Sequence, residues 1–230
     1  MRDITTVFFD FGGTLVEPLR TVGVMWREVS RRVNLEVEVE ALVQAHGEAD
    51  AHLRAELYDY HGRMDEFWRR YNKLILQRVG LADPDGRLAG EIDRAFKAIL
   101  LSRPYPETPE ILAMLKSDGY RLGVISNATD DLLERLRAVD LARYFDTVTY
   151  SQEARAEKPS PAIFRLAMRK AACTPHEAIH VGDRMEADVE GARAVGITPV
   201  LVDRQDLVPE TACLRIRDLR GIPPLLREGQ

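Results

Sequence analysis

Cysteine is scarce in this chain of 230 residues: Cys173 and Cys213 are the complete set. They show no Cys-x-x-Cys spacing and no neighbouring histidine cluster, which argues against both a structural zinc site and a disulfide framework. Both read as buried thiols. No apolar run approaches the roughly 20 residues that span a bilayer. Met1 to Asp10 runs into a strand without the basic and apolar regions of a secretion signal. The expectation is a soluble, cytoplasmic protein with no membrane partner. An excess of one charge is also missing, since 32 basic and 37 acidic residues are mixed along the chain for a net charge of −5. No basic face for nucleic acid stands out. Repeats and low-complexity tracts are absent. What the chain does have is 45% hydrophobic residues, enough for a good core in one compact domain or a core with a smaller insertion.

The segment Ile4 to Asp10 is apolar, β-branched and aromatic, and ends in Asp-Phe-Gly-Gly, the pattern of a buried strand entering a tight loop. From Arg20 to about Leu101 the spacing becomes helical. The stripes are Val22–Met25–Val29–Val33, then Leu42–His46–Ala49–Leu53–Leu57, Met64–Phe67–Trp68–Tyr71–Leu74–Ile75, and Leu88–Ile92–Phe96–Ile99. Four amphipathic helices predict a helical bundle. Glu17-Pro18 and Ser102-Arg-Pro-Tyr-Pro106 bound it and are hinge candidates, because the residue before a proline avoids helix. Beyond Pro106, strand and helix alternate. A helix is expected with Thr108 as N-cap, then a strand over 120–126, a helix with Leu132, Leu133, Leu136 and Val139 on one face, and a strand over 147–150. A helix capped by Ser160-Pro161, a strand over 178–181, a helix over 186–195 and a strand over 198–202 follow. Short links between alternating elements predict an α/β fold with a doubly wound parallel sheet, whose ligands bind beyond the carboxyl ends of the strands. Residues 225–230 read as a frayed tail.

Four polar clusters then fall just past four strands: Asp10 with Thr14, Ser126 with Asn127, Lys158, and Asp183 with Asp188. A carboxylate, a hydroxyl, an ammonium and an acidic pair gathered in one crevice suit phosphoryl transfer: a nucleophile, donors for phosphoryl oxygens, and ligands for a hard cation.

Asp10-Phe-Gly-Gly-Thr-Leu15, Ser126-Asn127, Lys158-Pro159 and Gly182-Asp183-Arg-Met-Glu-Ala-Asp188 together resemble the four motifs of the haloacid dehalogenase superfamily, in order. The resemblance implies a Rossmann-like core over 1–17 and 103–230, with an inserted α-helical cap domain over 18–102 that closes over the site and selects substrate. It implies that Asp10 is a nucleophile forming an aspartyl-phosphate, that Ser126 and Lys158 hold the transferring phosphoryl oxygens, and that Lys158 also neutralises Asp10. It further implies Mg²⁺ on Asp10, Asp183, Asp188 and the backbone carbonyl of Gly12, with Thr14 and Asn127 orienting the substrate and the nucleophile loop. The expected partner is a small phosphorylated metabolite. His180, on a buried strand, reads as structural. The chain is expected to be a monomer or homodimer, with Trp26, Phe67 and Trp68 filling the cap's own core or anchoring a partner copy.

One position departs from the family. Its phosphatases usually carry a second Asp two residues after the nucleophile, which protonates the leaving group and then activates water; here that position is Gly12. Loss of such a group typically costs ~10²–10⁴ in rate, most for a poor leaving group such as a sugar alcohol. Three readings remain. One is a phosphatase whose proton transfer is done by water, by the substrate, or by a cap side chain among His46, His52, Glu56, Asp59 and His61. Another is a carbon–halogen or carbon–phosphorus hydrolase, against which stand the acidic pair, since haloacid dehalogenases use no metal, and the placing of Lys73 and Lys97 in helices where a solvated lysine is ordinary. The third is a catalytically silent ligand binder or scaffold, against which the joint presence of Asp10, Thr14, Ser126, Lys158, Asp183 and Asp188 argues.

Overall fold

The computed structural model describes residues 4–17, 21–99, 103–208 and 213–227. Pro18 and Ser102 of the hinge candidates and residues 228–230 of the tail lie outside them. The chain divides into two compact units, Met1–Pro18 with Ser102–Gln230, and Leu19–Leu101.

The larger unit is built on six parallel strands, β1 (Thr6–Phe9), β2 (Arg121–Ser126), β3 (Thr147–Tyr150), β4 (Ala178–Gly182), β5 (Thr198–Val202) and β6 (Leu214–Ile216), in the order β3-β2-β1-β4-β5-β6. Such a sheet is covered on both faces, so its central strands carry apolar residues throughout rather than alternately. All four residues of β1 are buried. Val7 and Phe9 join one cluster with Val124, Val181 and Val202, while Phe8 faces the other way into a second with Ile125, Phe164 and Ala192. β1 pairs with β2 on one side and β4 on the other, Phe9 lying level with Val124 and Val181. The chain reverses its direction of winding there, which opens a crevice at the carboxyl ends of these strands.

The connection leaving β1 returns beside itself. Val16 bridges Pro104 in antiparallel fashion, Glu17 N donates to the Arg103 carbonyl at 2.8 Å, and Tyr105 N donates to the Leu15 carbonyl at 3.1 Å. This short ribbon belongs wholly to the larger unit.

The smaller unit packs α1 (Val22–Val33), α2 (Val39–Leu53), α3 (Met64–Arg78) and α4 (Arg87–Ile99) around Trp26, Leu42, Phe67, Ile75 and Ile92. The last residue of the second stripe, Leu57, falls in a 3₁₀ segment, Arg54–Tyr60, rather than continuing α2. Trp26 and Phe67 are buried in this core and Trp68 is partly buried against it. Lys97 reaches Asp65 and Asp93, at 2.6 and 3.0 Å. No helix of the described residues is long and apolar enough to cross a membrane.

Several local expectations need correction. α5 (Thr108–Ser117) has Glu107, not Thr108, as its N-cap, because the Thr108 hydroxyl donates to the Leu15 carbonyl at 2.9 Å instead. In α6 (Leu132–Ala138), Leu132 and Leu136 are buried but Leu133, about 100° around the helix, faces solvent. Two elements were too short to show a period in sequence, α7 (Ser151–Ala154) and the edge strand β6. α8 (Pro161–Ala171) starts under the Ser160 hydroxyl, which accepts from Ala162 N. Both cysteines are half-buried rather than buried. The helix expected over 186–195 begins as a π turn, Met185–Glu190, before α9 (Gly191–Arg193) and the later α10 (Ile222–Arg227).

Candidate active site

Asp10 follows β1 directly, its backbone N donating to the Val181 carbonyl at 2.9 Å. Lys158 approaches from the segment after β3. Its Nζ donates to Asp10 Oδ1 and to Asp188 Oδ1, both at 2.6 Å, and all three side chains are buried. Asp188 comes from the π turn. Such turns hydrogen-bond i to i+5 and gather at functional sites; here the Arg184 carbonyl accepts from both Asp188 N and Val189 N, and Arg184 N donates to Asp188 Oδ2 at 3.0 Å. The wide turn thus folds the Asp188 carboxylate back onto its own N-terminus, leaving Oδ1 for Lys158 and for His180 Nε2 at 3.0 Å.

Close backbone approach makes this possible. A Cβ on Gly182 would lie 2.2 Å from Asp188 Cγ, and one on Gly13, whose φ is +83°, would lie 2.3 Å from Asp183 Oδ2. Neither position admits a side chain without displacing an aspartate. A Cβ on Gly12 would meet nothing within 4 Å.

Burial is the largest influence on Asp10 and pushes its carboxyl up to about 6, opposed by Lys158 and assisted by Asp188. At Asp188 burial pushes the same way, yet the Lys158 ammonium and the hydrogen bond from His180 outweigh it and hold the carboxyl well below the ordinary range. Burial would discharge Lys158, but the two carboxylates overcome that and keep it protonated. Asp183 is raised by burial and by Asp188. His180 is fully buried and pushed below its ordinary value, hence neutral near pH 7. Facing a carboxylate, a neutral ring carries its proton on Nε2.

Asp10, Asp183 and Asp188 each offer a carboxylate oxygen within 4.8 Å of the others. Asp183 Oδ1 is buried with no hydrogen-bond partner among the described residues, a situation that needs a cause in a native structure, such as an ion or a water. Three hard oxygen donors on one small volume fit Mg²⁺, which binds through one or two carboxylates and keeps several waters.

The remaining expected site residues are placed as follows. Asn127 grips the backbone of Lys158, its Oδ1 accepting from Lys158 N at 2.7 Å and its Nδ2 donating to the Lys158 carbonyl at 3.1 Å. Both ends of the amide therefore position Lys158. Ser126 ends β2, buried, in register with Tyr150. Thr14 is buried with its hydroxyl unpartnered, and its carbonyl accepts from Arg204. Sequence reasoning passed over His180 as a partner of Asp188, although a histidine on an otherwise apolar strand two residues before Gly182 was a signal. It also passed over Arg204, a cation immediately past β5.

A family model for haloacid dehalogenase-like hydrolases matches residues 4–196. The glyceraldehyde 3-phosphate phosphatase of Methanothermobacter thermautotrophicus is 32% identical over 88% of this chain and 87% of its own. The phosphoserine phosphatase of Thermus thermophilus is 30% identical over 94% and 96%. The crystal structure of a 2-haloacid dehalogenase from Pseudomonas syringae pv. Tomato superposes with a TM-score of 0.76 over 99% of this chain and 100% of that one, at 24% identity, a likeness of fold. With the parallel sheet, the crevice carboxylates and these matches agreeing over most of its length, the chain belongs to the haloacid dehalogenase-like hydrolases.

Proposed function

We propose that this hydrolase is a magnesium-dependent phosphatase of small phosphorylated metabolites that works through an aspartyl-phosphate on Asp10. The observation that carries this reading is the Lys158 ammonium shared between Asp10 and Asp188 at 2.6 Å each, beside Asp183. A buried carboxylate in bare hydrocarbon would protonate; beside a buried ammonium it stays a nucleophile, and the dianionic ester can approach it. The names of the two curated relatives, both phosphatases of three-carbon phosphoesters, support the substrate class.

In the first step an Asp10 oxygen attacks phosphorus and the ester P–O bond breaks. The departing oxygen takes its proton from water, from the substrate or from a side chain of the cap, since Gly12 offers no side chain. In the second, water attacks the phosphorus of the aspartyl-phosphate, the Asp10 oxygen–phosphorus bond breaks, and inorganic phosphate leaves with the water's oxygen and protons, regenerating the Asp10 carboxylate. Lys158 and Ser126 hold the phosphoryl oxygens, and Asn127 acts through Lys158 by fixing its backbone. Asp10, Asp183, Asp188 and the Gly12 carbonyl would hold Mg²⁺, which neutralises phosphoryl charge. To the unit Leu19–Leu101 we assign the role of substrate-selecting cap.

Hydrolysis of p-nitrophenyl phosphate with and without Mg²⁺ tests this, followed by glyceraldehyde 3-phosphate and phosphoserine. Expected are Mg²⁺-dependent turnover, loss of at least about 10³-fold in Asp10→Asn, and a steeper preference for good leaving groups than in Gly12→Asp, where a Cβ would meet nothing within 4 Å. Metal-independent turnover, or turnover retained in Asp10→Asn, would overturn the mechanism. No native turnover with activity gained in Gly12→Asp would point to a different natural reaction or to ligand binding.

A further inference from the structure

Arg204 stands just past β5, outside the groups assigned to chemistry, and its guanidinium makes three contacts at once. Nη1 donates to Glu107 Oε1 at 2.7 Å, Nη2 donates to the Thr14 carbonyl at 2.9 Å, and the guanidinium carbon lies 3.3 Å from the centroid of the Tyr105 ring. The Arg204 side chain is 18% exposed and that of Glu107 is 4%. Three stretches remote in sequence meet on this one plane: the loop after β1, the returning lane of the ribbon with the N-cap of α5, and the end of β5. A rigid planar fork suits such a junction, whereas a lysine ammonium offers no second arm and no face to stack.

The loop that Arg204 reaches is short and closed. The Phe11 carbonyl accepts from both Leu15 N and Val16 N, and Gly13 N donates to the Val16 carbonyl at 2.8 Å. Between Asp10 and Thr14 it contains Gly12 and Gly13, whose backbone is freer than that of any other residue and which have no side chains to anchor. The Thr14 hydroxyl has no hydrogen-bond partner among the described residues and supplies no anchor there. From outside the loop, Tyr105 N and the Thr108 hydroxyl hold the Leu15 carbonyl at its far end, and Arg204 Nη2 holds the Thr14 carbonyl, the one directly beside Gly13.

We propose that Arg204 is a positioning residue, a brace that fixes the Gly12-Gly13 loop by its Thr14 carbonyl and so keeps Asp10 aligned. The proposal rests on Asp10 being the nucleophile. Arg204→Lys retains a charge for Glu107 but not the fork. With p-nitrophenyl phosphate and saturating Mg²⁺, its kcat should fall about tenfold or more while KM changes less than about twofold, the mark of misalignment. Its unfolding midpoint should match the native one. Arg204→Ala combined with Glu107→Gln, which leaves no lone buried carboxylate, should lose as much and regain kcat when methylguanidinium is added. Native kcat in Arg204→Lys would overturn the proposal. Hydrogen exchange gives a readout independent of turnover: in Arg204→Lys the amides of Gly13, Leu15 and Val16 should exchange about tenfold faster while those of β1 and β4 do not change. Unchanged exchange in the loop, or a uniform rise across the sheet, would make Arg204 an ordinary core ion pair and refute the brace, whether or not the protein hydrolyses phosphate esters.

Discussion

Two adjacent glycines in the loop after β1 face opposite surroundings. Gly13 has a positive φ and leans on Asp183, whereas Gly12 borders open space. Gly13→Ala should therefore destabilise the protein by about 1–3 kcal/mol and weaken Mg²⁺ binding by displacing Asp183. Gly12→Ala should stay within about 0.5–1 kcal/mol of native. Urea denaturation and titration calorimetry on both variants separate these outcomes. The electrostatics make a second prediction. Asp10 is pushed up to about 6, so lowering the pH through that value protonates one of the three carboxylates. Mg²⁺ affinity should fall as pH drops from 7 to 5, measured calorimetrically, and a pH-independent affinity would argue that Asp10 is not a ligand. That Asp10, Lys158, Asp183 and Asp188 come together was legible in the sequence, because each lies in a segment leading on from a parallel strand. The double grip of Asn127 on Lys158 and the bond from His180 to Asp188 were not, since they join residues 31 and 8 apart in the chain through tertiary geometry that spacing does not encode.

Among the elements, α1 to α4 were readable because each carries a full apolar stripe at the helical period. Such stripes say that a face is buried without saying which residues meet. Ile75 is fully buried in the smaller unit's core, and Ile75→Ala should cost about 2–5 kcal/mol. Its effect belongs to that cluster, so Mg²⁺ affinity of the larger unit should be unchanged; a large loss of affinity would contradict the assignment of the three aspartates as the metal site. The misread elements have different causes. Thr108 carried a helix-start signal, but its hydroxyl answers the Leu15 carbonyl in the loop after β1, a partner 93 residues away. The π turn reads in sequence as ordinary helix because its apolar content fits either period, and the i to i+5 bond from Val189 N to the Arg184 carbonyl distinguishes it.

For the whole molecule, alternating strands and helices were enough to foresee a parallel doubly wound sheet. The position of the reversal was not, because β1 finds its partners at Arg121–Val124 and Ala178–Val181, across long excursions of chain. The first excursion contains the smaller unit. Closing a loop grows costlier only slowly with its length, by roughly 0.6 kcal/mol per doubling. Ten Gly/Ser residues inserted after Ala82, an exposed turn between α3 and α4, should thus shift stability by less than about 1 kcal/mol and leave Mg²⁺ affinity intact, read by urea denaturation and calorimetry.

The ribbon at Val16–Glu17 and Arg103–Tyr105 gives that excursion a fixed doorway. Outgoing and incoming lanes are hydrogen-bonded to each other, Glu17 N to the Arg103 carbonyl at 2.8 Å, so the larger unit presents one socket with its two terminals side by side. Any insert whose own ends lie close together can plug into it, and the strand that delivers Asp10 need not move to receive it. On the proposed assignment of the smaller unit as a substrate-selecting cap, substrate choice and bond-breaking chemistry can change on separate schedules: one by exchange of the plug, the other by single residues such as the one at position 12.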